Sequence, residues 1–409
     1  MTPLLRKFFG INWLFFAPMI AMMAFGVLSI HAAVHFRGPE LADKWNDQIH
    51  WMLYGLGIFL ITSMIDYKWV KWGALPMYLL GLGLMTYLLF KGEEVFGQKI
   101  AVKLGPITFQ PSQVAISSSV LMMALVLAEG QNIIPILRHH FLRLLAACVI
   151  FAVPFLFILK AKDIGSALVM LPIFGVMLLT GNIPYRYLIT IVLLGAIAAP
   201  LVYFFGLKDY QQERIDVTYK LLAGHKVDEK GDGWALSHII TAVATAGWDG
   251  KGADPDAVPT GNKSLTHLNL VPTKTSHNDF IFAVIAEAFG FAGSALMMVG
   301  FLFIFVMALT IAFFACDSLG RLIVTGIVAL LFAHTFEHIG MNIGLLPITG
   351  IPLPLVSYGG TFVLIVMFLF GMMQSVWIHR NRVLEAAEGA RSGSPRPSPR
   401  PAATSSYAT

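Results

Sequence analysis

The stretch "SHNDFIFAVIAEAFGF" occupies Ser276–Phe291 and opens an apolar run that continues to about residue 315. Asp279 stands where the run begins. Glu287 lies about two helical turns further on, at roughly 12 Å by helix rise. Carboxylates are costly beside lipid, and an intramembrane acid defaults to a paired or functional role. Asp279 has two readings. It caps the N-terminus of the helix that follows, where negative charge is favoured. Or it is a general base at a water–lipid boundary, with a pKa set by partial burial. Glu287 reads as a buried polar group paired within the bundle, near His334 or His338.

Composition extends this reading to the whole chain. Of the 409 residues, 57% are hydrophobic and 12% charged, with a mean hydropathy of +0.73. A soluble domain carries about 25% charged residues. The fold class is therefore an all-α integral membrane protein. About ten stretches reach the length of a span. They lie near 12–33, 49–66, 71–90, 112–129, 141–159, 164–181, 185–206, 280–315, 321–345 and 360–379. The stretch at 112–129 is the most polar, and the one at 280–315 is long enough for an extension or a tilt. Arg6 and Lys7 ahead of the first run imitate a signal peptide. That run is too long for an h-region and reads as an uncleaved first span.

Lys68, Lys71, Arg138, Arg143, Arg186 and Arg321 fall in alternate loops. They place both termini of a multi-pass membrane protein in the cytoplasm. The long loop at about 207–278 is then extracytoplasmic, and loops of that size usually carry function. Residues 1–382 form the membrane domain. The Pro-, Ser- and Arg-rich tail at 383–409 is expected to be disordered. The net charge of +5 sits in loops and implies no nucleic-acid partner. Cys148 and Cys316 match no metal-ligand spacing and read as packed thiols.

Several segments carry candidate chemistry. "NIGLLPITGIPLPLVSYGGT" (Asn342–Thr361) breaks the apolar helical pattern with prolines and glycines. Non-helical backbone at membrane depth survives only when buried or lining a wet cavity. A re-entrant outer loop containing Ser357 is expected. In "FQPSQ", Pro111 suits a first helical turn, capped by Gln110 or Ser112. Lys160, Lys162 and Asp163 crowd the start of a span, where the lysines snorkel or bind phosphate. "LKDYQQERIDVTYK" predicts an amphipathic helix. Its Arg214 either pairs with Glu213 or Asp216, or grips a diphosphate bidentately. "HTFEH" fits a short His-x-x-Glu-His zinc pattern at His334 and His338. No third ligand is evident, so a buried polar cluster is the expected reading and no metal is assigned.

Together these pieces resemble the SEDS family (shape, elongation, division and sporulation), which includes RodA and FtsW. The resembling segments are "LGPITFQPSQ", "KDIGSALV", "YQQERI", "AGWDGKG", "NDFIFAVIAEAFGFAGS" and "GLLPITGIPLPLVSYGGT". They occur in the family's order from Lys103 to Ser375, and "YQQERI" and "WDGKG" look like the RodA type. The resemblance implies a ten-helix peptidoglycan glycosyltransferase that polymerises lipid II for elongation and rod shape. By position, Asp279 matches the family's essential acid. Gln211 and Arg214 match its loop Tyr-Gln-x-x-Arg, Asp163 its Asp-Leu-Gly-Thr aspartate, and Ser357 its Ser-Tyr-Gly-Gly turn.

The implied reaction joins an undecaprenyl-linked glycan to lipid II. Asp279 would serve as base, with Arg214, Lys162 and Lys251 as candidate cations for the leaving diphosphate. A divalent cation is compatible with that task, but no ligand set is legible. A class B penicillin-binding protein and the elongation machinery are the implied partners.

There are departures. Gln113 and Ile116 replace a Glu and Lys, Ala161-Lys162 a Gln-Pro, Thr273 a Glu, Ala288 a Glu and His338 an Asn. "ADPDAVPTGNKS" looks inserted. Rival readings are a lipid II flippase, a division-type polymerase, an O-antigen-ligase-like enzyme and a scaffold that needs no acid.

Overall fold

A computed structural model describes residues 7–95, 98–104, 107–201, 203–204, 209–225, 232–253 and 264–380. The 383–409 tail and most of "ADPDAVPTGNKS" lie outside the described residues. The ten expected spans are all helices. They are α1 (Trp13–Val34), α3 (Lys44–Met64), α4 (Val70–Lys91), α5 (Pro111–Ile133), α6 (His140–Lys160), α7 (Ile164–Thr180), α8 (Tyr185–Leu201), α11 (Ile281–Phe313), α12 (Ser318–Asn342) and α13 (Gly360–Ile378). A short α2 (Pro39–Ala42) precedes α3. Among the described residues, seven helices are long and apolar enough to cross a membrane. The chain is a multi-pass membrane protein.

Helices α5, α12 and α13 sit mostly inside the protein, while α1, α4 and α6 expose most of their surface. This explains the polar look of α5. Its serines face protein, not lipid, and Ser118 and Ser119 donate to the carbonyl of Ala115 within their own helix. Hydroxyls satisfied that way by a backbone carbonyl can sit at membrane depth.

One feature departs from the all-α expectation. Between α4 and α5, strands β1 (Glu93–Val95), β2 (Gln98–Leu104) and β3 (Ile107–Phe109) form an antiparallel meander in sequence order. Val102 pairs with Phe109 and Leu104 with Ile107. The meander sits at the same end of the bundle as the long loop, called the loop face below.

The long loop is built from α9 (Asp209–Leu222), as expected for "DYQQERIDVTYKLL", and α10 (Asp232–Ala244). Helix α11 carries the extension as a break. Gly290 has φ 68° and ψ −165°, outside helical geometry. The break exposes backbone groups on both sides, and the loop fills them. Lys251 N donates to Glu287 O at 2.7 Å and Gly252 N to Ala288 O at 3.1 Å. Phe291 N donates to Gly247 O at 2.9 Å and Ala292 N to Trp248 O at 3.1 Å. Gly290 and Gly250 are both in the left-handed region, and a Cβ on Gly290 would stand 2.3 Å from Gly250 N. Only glycines permit this approach.

Residues 343–359 form the expected re-entrant segment, with Ile351, Leu353, Leu355 and Val356 buried. Its depth is set by Gly26 of α1, where a Cβ would lie 2.8 Å from Leu355 O. Gly26 is about 12 Å below the loop-face end of α1 by helix rise. Leu355 itself adopts φ 65°. A non-glycine residue holds that conformation only where its surroundings over-determine it.

Candidate active site

Asp279 lies in a turn ahead of α11. Its N–H donates to Thr275 O at 2.9 Å, and its carbonyl accepts from Asn342 Nδ2 at 3.1 Å. The capping reading fails: the N-cap position is Phe280, and no side chain caps the helix. The carboxyl instead lines a cavity of about 520 Å³ shared with Lys44, Asp47, Trp51, Gln110, Asn278 and Tyr358. Partial exposure admits a substrate, while surrounding protein pushes the carboxyl pKa up to about 7 by burial. That value suits a general base near neutral pH.

The turn is held from several directions. Ser357 Oγ donates to Asn278 O at 2.7 Å and accepts from Leu353 N at 2.8 Å. Tyr358 N donates to His277 O at 2.9 Å. Gln48, fully buried, donates from Nε2 to Ser357 O at 3.2 Å and accepts from Gly359 N at 3.3 Å. Arg37 donates to Thr273 O and, at 2.9 Å, to Ser276 Oγ. Burial lowers the Arg37 pKa to about 10, which still leaves the guanidinium charged at neutral pH. Burial first, then the nearby Arg37 and Lys44 charges, lower the His277 pKa to about 4.

Gly350 faces Asp279 from the re-entrant segment. Its φ is 74°, and a Cβ there would approach Asp279 Oδ2 to 3.5 Å. The preceding residues, Ile348 and Thr349, look the other way, into a second cavity of about 600 Å³. That cavity is walled by apolar residues of α6, α7 and α8, and Gln211 and Arg214 of α9 also line it. Arg214 Nη1 donates to Ile348 O at 3.4 Å. Asp216, a suggested surface partner, accepts from Tyr203 OH at 2.6 Å. The re-entrant segment therefore partitions two chambers, one with the acid and one with the guanidinium.

The other expected residues have distinct placements. Asp163 is the N-cap of α7 and accepts from Ser166 N at 3.0 Å; Ser166 in turn meets Ser112 Oγ at 3.5 Å. Lys162 takes a left-handed φ of 64° beside it. Gln110 is the N-cap of α5 without a side-chain cap bond, and it lines the Asp279 cavity. Lys251 Nζ is 3.4 Å from Glu287 Oε1 and 3.0 Å from Thr245 Oγ1. Glu287 is not paired with the histidines. Its carboxylate accepts from Leu265 N, Thr266 N and Thr266 Oγ1 at 2.6, 3.0 and 2.7 Å. The break in α11 brings the loop to Glu287, which the sequence alone does not reveal.

The zinc pattern resolves into protein hydrogen bonds. His334 Nδ1 lies 3.0 Å from Leu330 O and Nε2 3.2 Å from Gln113 Oε1. His338 Nδ1 lies 2.8 Å from Ile351 O. Among the described residues, no group of three or more His, Cys, Asp or Glu is placed to hold a metal. Gln113, one of the departures, is thus matched by an imidazole in place of a charged partner. Lys44, Gln48 and Asn342 line or hold the site without being singled out by the sequence, where Tyr358 enters only as part of the Ser-Tyr-Gly-Gly turn. Lys44 Nζ lies 3.2 Å from Asp47 Oδ2, 3.5 Å from Tyr358 OH and 5.3 Å from that ring's centroid. A lysine beginning a span was the available signal.

Comparison with known proteins follows the same segments. A family model described as "Cell cycle protein" (FtsW, RodA, SpoVE) matches residues 12–382. The Escherichia coli peptidoglycan glycosyltransferase MrdB is 29% identical over 363 residues, covering 88% of this chain and 92% of that protein. The Treponema pallidum peptidoglycan glycosyltransferase RodA is 25% identical over 437 residues, covering 89% and 97%. Among solved structures, a chain of a peptidoglycan synthase complex that coordinates polymerization and crosslinking matches with TM-score 0.71 at 22% identity. The match covers 90% of this chain and 98% of that one. The crystal structure of Thermus thermophilus rod shape determining protein RodA matches with TM-score 0.62 at 22% identity, covering 91% and 97%. The family match spans all ten long helices, the Asp279 turn and the re-entrant segment, and the chain belongs to the FtsW/RodA/SpoVE family.

Proposed function

We propose that the chain is a peptidoglycan glycosyltransferase that polymerises lipid II at the outer face of the bacterial inner membrane. The observation that carries this reading is the partition. Asp279, with its pKa pushed up to about 7, lines a chamber with the Lys44–Asp47 pair, and an apolar chamber with a guanidinium lies across the re-entrant segment. Two lipid-linked diphosphate substrates need two anion sites and room for polyprenyl tails, and the two chambers supply both kinds of surface.

In the reaction, Asp279 takes the proton from the acceptor's 4-hydroxyl. The freed oxygen forms a bond to the donor's anomeric carbon, opposite the diphosphate. The carbon–oxygen bond to the diphosphate breaks, its electrons leave with the phosphate oxygen, and the linkage inverts. Lys44 in the same cavity offsets the charge that grows on the leaving group. Arg214 and Gln211 hold the second lipid's diphosphate at the mouth of the apolar chamber. Lys251 serves the scaffold through Glu287.

The "YQQERI" and "WDGKG" segments favour an elongation role, although relatives named MrdB or RodA and relatives named FtsW are similar to the chain to a like degree. The peptidoglycan synthase complex among the structural neighbours supports a crosslinking partner, a class B penicillin-binding protein. Both termini then lie in the cytoplasm. The test is gel analysis of glycan strands from purified protein and lipid II, with and without that partner. Strands from the wild type and none from Asp279→Asn are expected. Strands from Asp279→Asn at the wild-type rate would overturn the base assignment. Lipid II translocation in liposomes without strands would favour the flippase.

A further inference from the structure

Asp279 and Glu287 lie on the same side of the break at Gly290. The piece of α11 above the break, Ile281–Phe289, therefore takes its direction from what grips it rather than from the lower helix. Two backbone bonds, from Lys251 N to Glu287 O and from Gly252 N to Ala288 O, grip its broken end, while Phe291 and Ala292 tie the lower helix to Gly247 and Trp248 of the same loop. The Glu287 carboxylate, only 1% exposed, adds side-chain contacts to the segment at Leu265 and Thr266 and to Lys251.

That segment leads directly to the acid. Thr266 is held from both sides, since Arg37 Nη2 donates to Thr266 O at 3.5 Å while Glu287 takes its N–H and hydroxyl. Arg37 then reaches forward to Thr273 O and Ser276 Oγ. Thr275 O accepts from Asp279 N. The connected path is Glu287, Thr266, Arg37, Ser276, Thr275, Asp279. It is a ring, because Asp279 and Glu287 are also joined through the upper piece of α11.

We propose that Glu287 is a positioning residue for Asp279, closing this ring so that the base stands at a fixed place in its cavity. It touches no substrate and acts through the loop segment. A carboxylate suits the task better than an amide. It accepts from two backbone N–H groups and a hydroxyl while balancing Lys251, and charge-assisted bonds are roughly twice as strong as neutral ones. A carboxamide at 287 must turn its NH2 toward one of those donors, which leaves a buried donor unpaired. The inference rests on the polymerase reading for what Asp279 does, and on the geometry alone for where Glu287 acts.

The experiment compares the wild type, Glu287→Gln and Lys251→Met as purified full chains. Four quantities are read: kcat and KM for lipid II polymerisation, the acidic limb of the pH–rate profile, and amide exchange. The expected result for Glu287→Gln is a kcat lower by about tenfold with KM within about twofold, because a base displaced by about 1 Å costs on that order or more. Its acidic limb should shift from the wild-type position. Amides of Leu265, Thr266, Asp279 and Phe280 should exchange faster. Lys251→Met should do the same to a smaller degree, since the three donors to the carboxylate remain.

A lower melting temperature with unchanged kcat, acidic limb and exchange at 279–280 would make Glu287 merely structural and overturn the inference. If the wild type itself forms no glycan, the polymerase reading fails instead. Exchange then decides the inference alone: faster at 279–280 in Glu287→Gln supports it, and unchanged exchange there overturns it.

Discussion

Ser357 Oγ donates to the carbonyl of Asn278 at 2.7 Å, one residue before Asp279. The same hydroxyl accepts from Leu353 N within its own turn. One side chain thus ties the re-entrant segment to the turn that carries the acid. Its burial, at 1% exposed, leaves no water to take its place.

Ser357→Ala orphans both backbone groups at once. A buried unpaired polar group costs about 1–3 kcal/mol. The expected outcome is a clear drop in melting temperature of the detergent-purified protein, with a slower polymerisation rate at fixed temperature. Ser357→Thr keeps the hydroxyl and should lose less of both. Equal melting temperatures for wild type and Ser357→Ala would refute the tie.

The Asp279 pKa of about 7 gives opposite trends for rate and stability. A base acts ionised, so the polymerisation rate should rise with pH through about 7 and level off above it. Stability runs the other way. The folded pKa lies above the unfolded value of about 3.9, so the unfolded state binds fewer protons between the two values. The folded state therefore loses stability as pH rises from about 4 through 7. Asp279→Asn should abolish the acidic limb together with the activity. It should also melt higher than wild type at pH 8, by a margin that shrinks towards pH 4. Thermal melts of both proteins across that range check the sign.

Much of this fold is legible in the sequence because lipid imposes a simple rule. A span must be long, apolar and helical, so all ten helices stand where the hydropathy places them. The break in the re-entrant segment is legible because Pro347, Pro352 and Pro354 fall together with four glycines within 342–361, whereas single prolines such as Pro18, Pro76 and Pro154 stay inside spans. Contacts between distant segments are not. Glu287 meets Thr266 only because Gly290 departs from helical geometry, and a glycine in a helix announces no direction. Lys44 reaches the Asp279 cavity because α3 packs on α13, a pairing that hydropathy does not encode. The meander at 93–109 was hidden by its brevity beside longer apolar runs.

The two chambers make separable predictions for their cations. Lys44 lines the cavity of Asp279, and its exposed partner Asp47 is a weak competitor for a diphosphate. Lys44→Met should lower kcat by about 100-fold, the usual cost of one lost charge-stabilising donor. Arg214 lines the other chamber, so Arg214→Lys should raise KM for lipid II more than it lowers kcat. Steady-state kinetics with purified lipid II distinguish these. A kcat-dominated loss at Arg214 with a KM-dominated loss at Lys44 would reverse the chamber assignment.

The depth of the re-entrant segment can be tested through two glycines. At Gly26, a Cβ would stand 2.8 Å from both Leu355 O and Val356 Cα, so backbone must move to admit it. Overpacking of this kind costs about 1–3 kcal/mol. The displaced residues lead directly into Ser357, so Gly26→Ala should lower both melting temperature and polymerisation rate. Gly57 of α3 is the control, since a Cβ there meets nothing within 4 Å. Gly57→Ala should leave the rate unchanged and raise stability by about 0.5–1 kcal/mol through helix propensity. If both variants melt and polymerise alike, the segment does not reach Gly26 and the partition between the chambers loses its anchor.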